Sequence, residues 1–361
     1  MAGRKFSKGL TVFACILALI VGLVAGFFLY AYLTREEGGD VYVSGDISFH
    51  FMELGNGNSG DSIYIKAGDT DILIDAGSRT NSVGTISAYI DRYCTDGVLE
   101  YVIATHADRD HIACFAGDGS NDSLFDLYEC EIIIDFPRTD SKTDTYERYL
   151  QKRAAEIEEG ARHYTALECW NNENGAQRVW EVSDGIEMQV LYNYYYEHDT
   201  SNENNYSVCL LFSQGDRHFL FTGDLEGEGE EYLAENNELP EVELMKAGHH
   251  GSSTSCNEEL LRAVRPKIVC VCCCAGTDEY TETPANQFPT QAMIDRVAPY
   301  TNRVYVTSQV ADNDDGYTSM NGNIVVTSDR EGVTVQCSNN NTLLKDTDWF
   351  KENRNMPEAW A

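Results

Sequence analysis

Two imidazoles and two carboxylates fall within six residues, in Thr105-His106-Ala107-Asp108-Arg109-Asp110-His111, directly after the apolar run Tyr101-Val102-Ile103-Ala104. Neutral imidazole nitrogen and ionised carboxylate oxygen are common ligands of divalent transition metals, and ligands at alternate positions let neighbours serve two adjacent ions. A strand that delivers such a cluster into a loop builds a metal site. The alternative is a polar strand-to-helix connection whose aspartates cap a helix starting near His111. That alternative explains any one of the four residues more readily than all four together.

Three further segments repeat the arrangement of an apolar strand running into polar residues. Ile72-Leu-Ile-Asp75 and Phe219-Leu-Phe-Thr-Gly-Asp224 each end on a carboxylate, and Leu244-Met-Lys246-Ala-Gly-His249-His250-Gly-Ser ends on paired imidazoles. Four of the eight histidines, His106, His111, His249 and His250, lie in these segments.

Positioning them requires several strands. Period-two and short apolar runs bounded by Gly and Asp predict strands over 47–54, 62–66, 71–75, 101–105 and 132–135, with helices over 83–93 and 145–159. A second strand-rich half follows at 186–192, 206–212, 218–222, 267–274, 303–307, 324–328 and 333–337, with helices over 228–235 and 257–264. Two such halves suggest two facing sheets with helices outside. Tyr192, Tyr194, Tyr195 and Tyr196 read as an aromatic strand edge or a stacking surface, and Asp312-Asn-Asp-Asp-Gly as a solvated turn.

From Gly9 to Thr34 there is no charged residue, enough helix to cross a hydrocarbon core of roughly 30 Å. Arg4, Lys5 and Lys8 precede this run, so the expectation is a single-pass anchor with a cytoplasmic N-terminus and the remaining mass outside the cell membrane. The expected divisions are residues 1–34 for the N-terminus and anchor, 35–46 for a linker, 47–337 for the main domain and 338–361 for a polar tail. A net charge of −33 argues against a general nucleic-acid coat protein. It leaves phosphate esters open as substrates, because bound dications invert the local potential. Of twelve cysteines, Cys15 lies in the apolar run, leaving an odd number. Cys270, Cys272, Cys273 and Cys274 read as small hydrophobes of a buried strand.

The segments, in this order, resemble the metallo-β-lactamase fold, and specifically the hydrolase domain of the ComEC family of DNA-uptake proteins. The likeness runs from about Ile47 to Ser328. It includes His50-Phe-Met-Glu-Leu-Gly-Asn-Gly with Gly60-Asp61-Ser62, then Asn204-Asn205-Tyr206-Ser207, Thr222-Gly-Asp-Leu-Glu, Lys246-Ala-Gly-His-His-Gly-Ser and Arg265-Pro-Lys-Ile-Val. In the superfamily's usual His-x-His-x-Asp-His, Asp108 stands here for the second His, and Asn58-Ser59 is inserted before Gly60.

The resemblance implies an α+β fold, an αββα sandwich behind a single N-terminal transmembrane helix, and a hydrolase with two divalent ions, manganese or zinc. By this likeness His106 and Asp108 hold one ion, Asp110 and His111 the other, and Asp224 bridges them. His250 completes the second set, with His249 left to contact a substrate phosphate. Asp110, Asp224, His249 and Lys246 form the expected catalytic group. Lys246 is either a neutraliser of a substrate oxygen or a solvated surface lysine. Asp75 is expected behind the ligands, and Asn205 and Ser207 stand where many relatives have a further histidine. The implied substrate is a phosphodiester, with DNA first among candidates. The rivals are a phosphocholine-type ester of the cell envelope and a non-catalytic metal-stabilised binding domain. No stable protein partner is legible.

Overall fold

The computed structural model describes residues 47–311 and 316–361. The expected anchor, the linker over 35–46 and the turn at Asp312 lie outside the described residues. Among the described residues no helix is long and apolar enough to cross a membrane.

Two eight-stranded sheets face each other. The first is built from β1 (Ile47–Phe51), β2 (Ile63–Ala67), β3 (Thr70–Ile74), β4 (Val98–Ala104), β5 (Glu129–Asp135), β6 (Arg162–Thr165), β15 (Ile324–Asp329) and β16 (Gly332–Cys337). Its order is β16-β15-β1-β2-β3-β4-β5-β6. The second contains β7 (Val179–Ser183), β8 (Ile186–Val190), β9 (Leu210–Gln214), β10 (Arg217–Phe221), β11 (Leu244–Lys246), β12 (Ile268–Ala275), β13 (Val304–Val310) and β14 (Tyr317–Ser319), in the order β14-β13-β12-β11-β10-β9-β8-β7. Strands β3 to β6 run parallel, as do β10 to β13. The helices are α1 (Val83–Ile90), α2 (Arg109–Ala116), α3 (Asp144–Glu159), α4 (Ala166–Asn171), α5 (Gly227–Asn236), α6 (Glu258–Val264), α7 (Gln291–Val297) and α8 (Asp348–Asn353).

Alternation along the strands builds the layers. On β1, Phe49 points inward and lies 4.5 Å from the Phe219 ring, 5.4 Å from Phe221 and 5.6 Å from Phe212, all on the opposite sheet. Its neighbour His50 points outward to α1, where Nδ1 lies 2.8 Å from Tyr89 Oη. On β12, Cys270 and Cys272 belong to the core between the sheets, while Val269, Val271 and Cys273 join the outer core beneath α6 and α7. A strand covered on both faces must be apolar throughout, which explains the Cys-rich run. The cysteines of this strand, Cys270, Cys272, Cys273 and Cys274, are free thiols. The result is an αββα sandwich.

The chain departs from the predicted pattern where side chains take over backbone partners. The strand expected at 206–212 begins at Leu210, and Glu203–Tyr206 form a 3₁₀ turn instead. Asn193 Nδ2 bonds the carbonyls of Asn205 and Ser207 at 2.8 and 2.9 Å, groups that a sheet ladder would otherwise use. Tyr194–Tyr196 are likewise a 3₁₀ turn and not a strand edge. The Tyr194 ring stacks on Tyr232 of α5 at 4.4 Å.

The segment after β16 packs onto the outer core. Leu344, Phe350 and Trp360 are buried there, and Trp360 Nε1 donates to the Thr301 carbonyl at 2.9 Å. Burial of such a side chain stabilises by roughly 1.5–3 kcal/mol. Deleting residues 344–361 is therefore expected to lower stability by several kcal/mol, read as a fall in the denaturant midpoint; an unchanged midpoint would show that the tail adds nothing to the core.

Candidate metal centre

All the candidate ligands leave the C-terminal ends of strands. Asp75 follows β3, His106 to His111 follow β4, Asp224 follows β10, and His249 and His250 follow β11. The close approach of these loops depends on glycine: a Cβ on Gly77 would lie 1.5 Å from the Asp110 carbonyl oxygen.

Helix α2 begins at Arg109, so the helix of the alternative reading exists. Asp108 occupies its N-cap position but makes no side-chain capping bond. Its carboxylate instead lies with Oδ2 3.7 Å from His106 Nε2. The carboxylates of this segment therefore serve the site and leave the helix terminus uncapped.

The centre of the cluster is a set of imidazole lone pairs aimed at carboxylate oxygens. His111 Nδ1 lies 2.7 Å from Asp75 Oδ2, and Asp75 also accepts from Thr105 N at 2.8 Å and Thr105 Oγ1 at 2.7 Å. With Nδ1–H donating to Asp75, His111 Nε2 faces Asp224 Oδ2 at 3.1 Å, yet forms no hydrogen bond. His250 is held similarly on its outer side, with Nδ1 donating to the Cys272 carbonyl at 2.9 Å, while Nε2 is hydrogen-bonded to Asp110 Oδ2 at 3.1 Å and lies 3.1 Å from Asp224 Oδ2. Buried lone pairs facing anionic oxygens repel unless a proton or a cation lies between them. An outer ring nitrogen fixed by a carboxylate or carbonyl is the usual support of a metal-binding histidine. His106 Nε2 is also buried without a hydrogen bond, its ring 4.1 Å from that of His111. The donor set thus fits divalent ions. Asp61, His111, Asp224 and His250 offer ligand atoms within 4.8 Å of one another.

Asp61 was quoted above only as part of a motif, with no role. It lies just before β2, 1% exposed, with Oδ1 3.2 Å from His250 Nδ1 and Oδ2 2.5 Å from Lys246 Nζ. Only its flanking Gly60 and Ser62 marked it in the sequence.

Lys246 requires correction on both readings. At 1% exposure it is not a solvated surface lysine. Nor is it available to a substrate oxygen, because Nζ is saturated by Asp61 Oδ2, by Asp224 Oδ1 at 2.8 Å and by the Gly223 carbonyl at 2.7 Å. Its ammonium neutralises the ligand carboxylates. It also occupies Oδ1 of Asp224, so Oδ2 is the oxygen of that carboxylate turned to the imidazoles.

The remaining candidates divide between support and rim. Ser207 Oγ accepts from Asp224 N at 3.1 Å and lies 3.5 Å from His106 Nδ1. Asn205 Oδ1 accepts from Glu226 N at 3.2 Å, turned away from the donors. His249 stays outside the buried set, with Nδ1 2.5 Å from Glu226 Oε1, and Glu226 is held in turn by Asn202 and Asn204. Glu226 was marked only as the last residue of Thr222-Gly-Asp-Leu-Glu, with no role, and Tyr280, whose hydroxyl bonds Asp110 Oδ2, had no distinguishing signal in the sequence.

Electrostatics follow from this packing. Burial pulls the His111 and His250 imidazoles down, but Asp224, with Asp75 or Asp61, holds both well above the ordinary value. Burial, reinforced by the charge of neighbouring His111, pushes His106 down to about 3 against the pull of Asp224 and Asp110. Burial opposes ionisation of Asp224 and Asp110 as well, but the facing imidazoles hold both below the usual carboxylate range.

Residues 198–275 match the Metallo-beta-lactamase superfamily profile. ComE operon protein 3 of Bacillus subtilis is 30% identical over 175 residues, 48% of this chain and 20% of the relative. Recombination protein 2 of Haemophilus influenzae is 28% identical over 225 residues, 61% of this chain and 23% of the relative. The chain thus spans between a fifth and a quarter of the length of these curated relatives. Among solved structures, the metallo-beta-lactamase fold protein YhfI from Bacillus subtilis aligns over 74% of this chain and 89% of its own, at 11% identity and a TM-score of 0.39. Over residues 198–275 the chain is similar to the class of metallo-β-lactamase superfamily proteins. Within that class it resembles the hydrolase domain of the ComEC family.

Two outcomes follow for the metal-free protein. A raised histidine pKa stabilises the fold below the unfolded value of about 6.5, and the contribution fades as pH rises through the folded value. A metal needs the neutral ring, so manganese titrated calorimetrically at pH 7 in buffers of different ionisation enthalpy should release about one proton from each of His111 and His250. No buffer dependence would refute the assignment. Lys246→Met, which leaves Asp61 and Asp224 without their buried counter-charge, is expected to cost about 3–5 kcal/mol in unfolding measurements on the metal-free protein.

Proposed function

We propose that this domain is a metal-dependent phosphodiesterase, held outside the membrane by an anchor over residues 9–34. The observation that carries the reading is the pair of tautomer-fixed imidazoles, His111 and His250, both turned on Asp224 Oδ2 at 3.1 Å. Asp61, Asp110, His111, Asp224 and His250 would hold one ion, and His106 with Asp108 a second. Such ions supply Lewis acidity, bringing water to the edge of ionisation near neutral pH and offsetting charge on a phosphoryl group.

The protein's own side chains do the rest. Asp75 and the Cys272 carbonyl hold the two rings in the tautomer that presents Nε2. Lys246 keeps Asp61 and Asp224 ionised and close together. His249, braced by Glu226 at the rim, offers its other nitrogen to a substrate phosphoryl oxygen. Carboxylates dominate the donor set, which favours manganese over zinc.

The names of the relatives, recombination and competence proteins, support a nucleic-acid diester. One feature favours the second reading, a zwitterionic envelope ester of the phosphocholine type. The groups adjoining the site are acidic: Glu203 bears on Asp108, Glu226 on His249, and Glu279 neutralises Arg79. A long polyanion gains little from such a rim, whereas a cationic head group does.

The test compares the full chain, a form lacking residues 1–40 and Asp224→Ala on a chromogenic diester, single- and double-stranded DNA and phosphocholine esters, each with manganese or zinc at matched free concentrations. Manganese should support the higher rate. Asp224→Ala should lose on the order of a thousandfold or more in turnover, several kcal/mol of transition-state stabilisation. The truncation should retain activity on the small diester. Near-wild-type turnover by Asp224→Ala would sink the metal mechanism, and hydrolysis confined to phosphocholine esters would select the second reading.

A further inference from the structure

The loop between β12 and α7 reaches back to the donor cluster through one side chain, Tyr280. The residue is 46% exposed, yet its hydroxyl turns inward and donates to Asp110 Oδ2, the oxygen that also lies 3.1 Å from His250 Nε2. A tyrosine at a surface ordinarily does the reverse, covering apolar neighbours with the ring and leaving the hydroxyl to water. The inversion is held from several sides. The ring is near-parallel to His250, at 24° and 6.4 Å, and packs 5.2 Å from Phe288. The preceding residue is fixed as well, since Glu279 Oε2 accepts from Ser59 N at 2.8 Å and its other oxygen pairs with Arg79.

An uncharged donor is therefore presented, on a braced loop, at the partly exposed edge of a candidate ligand. Lys246 is spent on Asp61 and Asp224, and His249 lies on the Glu226 side. At the Asp110–His250 edge the side-chain hydroxyl that donates to Asp110 is that of Tyr280.

We propose that Tyr280 is a catalytic residue that faces the substrate, its hydroxyl passing from Asp110 to a phosphoryl oxygen of the diester and its ring walling the ester group at the Asp110–His250 edge. The hydroxyl only exchanges one acceptor for another; no proton leaves it. The assignment rests on the phosphodiesterase reading and adds to it the residue that orients the phosphoryl group.

The experiment uses the full chain and Tyr280→Phe, which keeps the ring. Manganese content, melting temperature, the dissociation constant for inorganic phosphate measured calorimetrically, and kcat and KM on one chromogenic diester are compared. A hydrogen bond to a charged oxygen is worth roughly ten- to a hundredfold. Tyr280→Phe should retain its manganese and melting temperature, bind phosphate about tenfold more weakly, and lose about ten- to a hundredfold in kcat/KM. Manganese loss with activity restored by excess metal would overturn the proposal, because Tyr280 would then act only through Asp110. Unchanged phosphate affinity and kcat/KM would overturn it alone, whereas a wild-type chain that neither binds phosphate nor cleaves any diester would overturn the phosphodiesterase reading beneath it.

Discussion

Buried negative charge is the constraint on which the rest of this structure depends. Asp61, Asp75 and Asp224 are each at most 1% exposed, and Asp110 stands beside them. Carboxylates gathered in a poorly solvated space cannot remain ionised without cations and hydrogen-bond donors. One permanent cation, Lys246, is buried between Asp61 and Asp224. Asp75 takes three donors, from Thr105 N, Thr105 Oγ1 and His111 Nδ1. What remains lies at Asp224 Oδ2, on which the Nε2 atoms of His111 and His250 converge at 3.1 Å. Negative potential left at such a point would favour a divalent ion.

The sandwich supplies the rigidity this requires. The parallel strands β3 and β4 of one sheet and β10 and β11 of the other end at the same place, so backbone length, and not long flexible side chains, sets the spacing of the ligands. Phe49 among Phe212, Phe219 and Phe221 locks the two sheets together behind the site. His249 and His250 both adopt left-handed backbone conformations, at φ 42° and 52°. Such conformations are costly for residues other than glycine, and here they turn consecutive side chains to opposite duties, one to the rim and one to the buried centre.

The rim differs in character from the centre. Glu226, Asn202 and Asn204 brace His249, and Glu279 braces the turn carrying Tyr280. Both donors at the rim are thus held by acidic or amide groups, in a chain whose net charge is −33. On the proposed reading a phosphate ester would be drawn to such a surface by ions held at its centre and by short-range hydrogen bonds, since long-range steering by the protein works against it.

Much of the site was legible before folding was considered. Histidine and aspartate clustered at the ends of apolar runs have a chemistry that depends on residue type, and period-two patterning showed which runs were strands, so the segments around His106–His111, Asp224 and the His249–His250 pair stood out from spacing, while the choice of His250 over His249 came from the family resemblance. The Cys-rich strand was readable for the same reason, as apolarity is a local property. Boundaries near 203–210 were not, because Asn193 reaches across the fold to take the carbonyls of Asn205 and Ser207. Asp61 was marked only by its flanking Gly60 and Ser62, Tyr280 had no local signature, and Lys246 had the wrong one, since a lysine's burial is decided by groups distant in sequence. Only the tertiary structure brings Asp61, 185 positions before Lys246, against its ammonium, and Tyr280, 170 positions after Asp110, against its carboxylate. The sequence by itself determined the donor types and the strands that carry them; the tertiary structure decided which donors share a centre, because charge compensation and hydrogen bonding act through space and not along the chain.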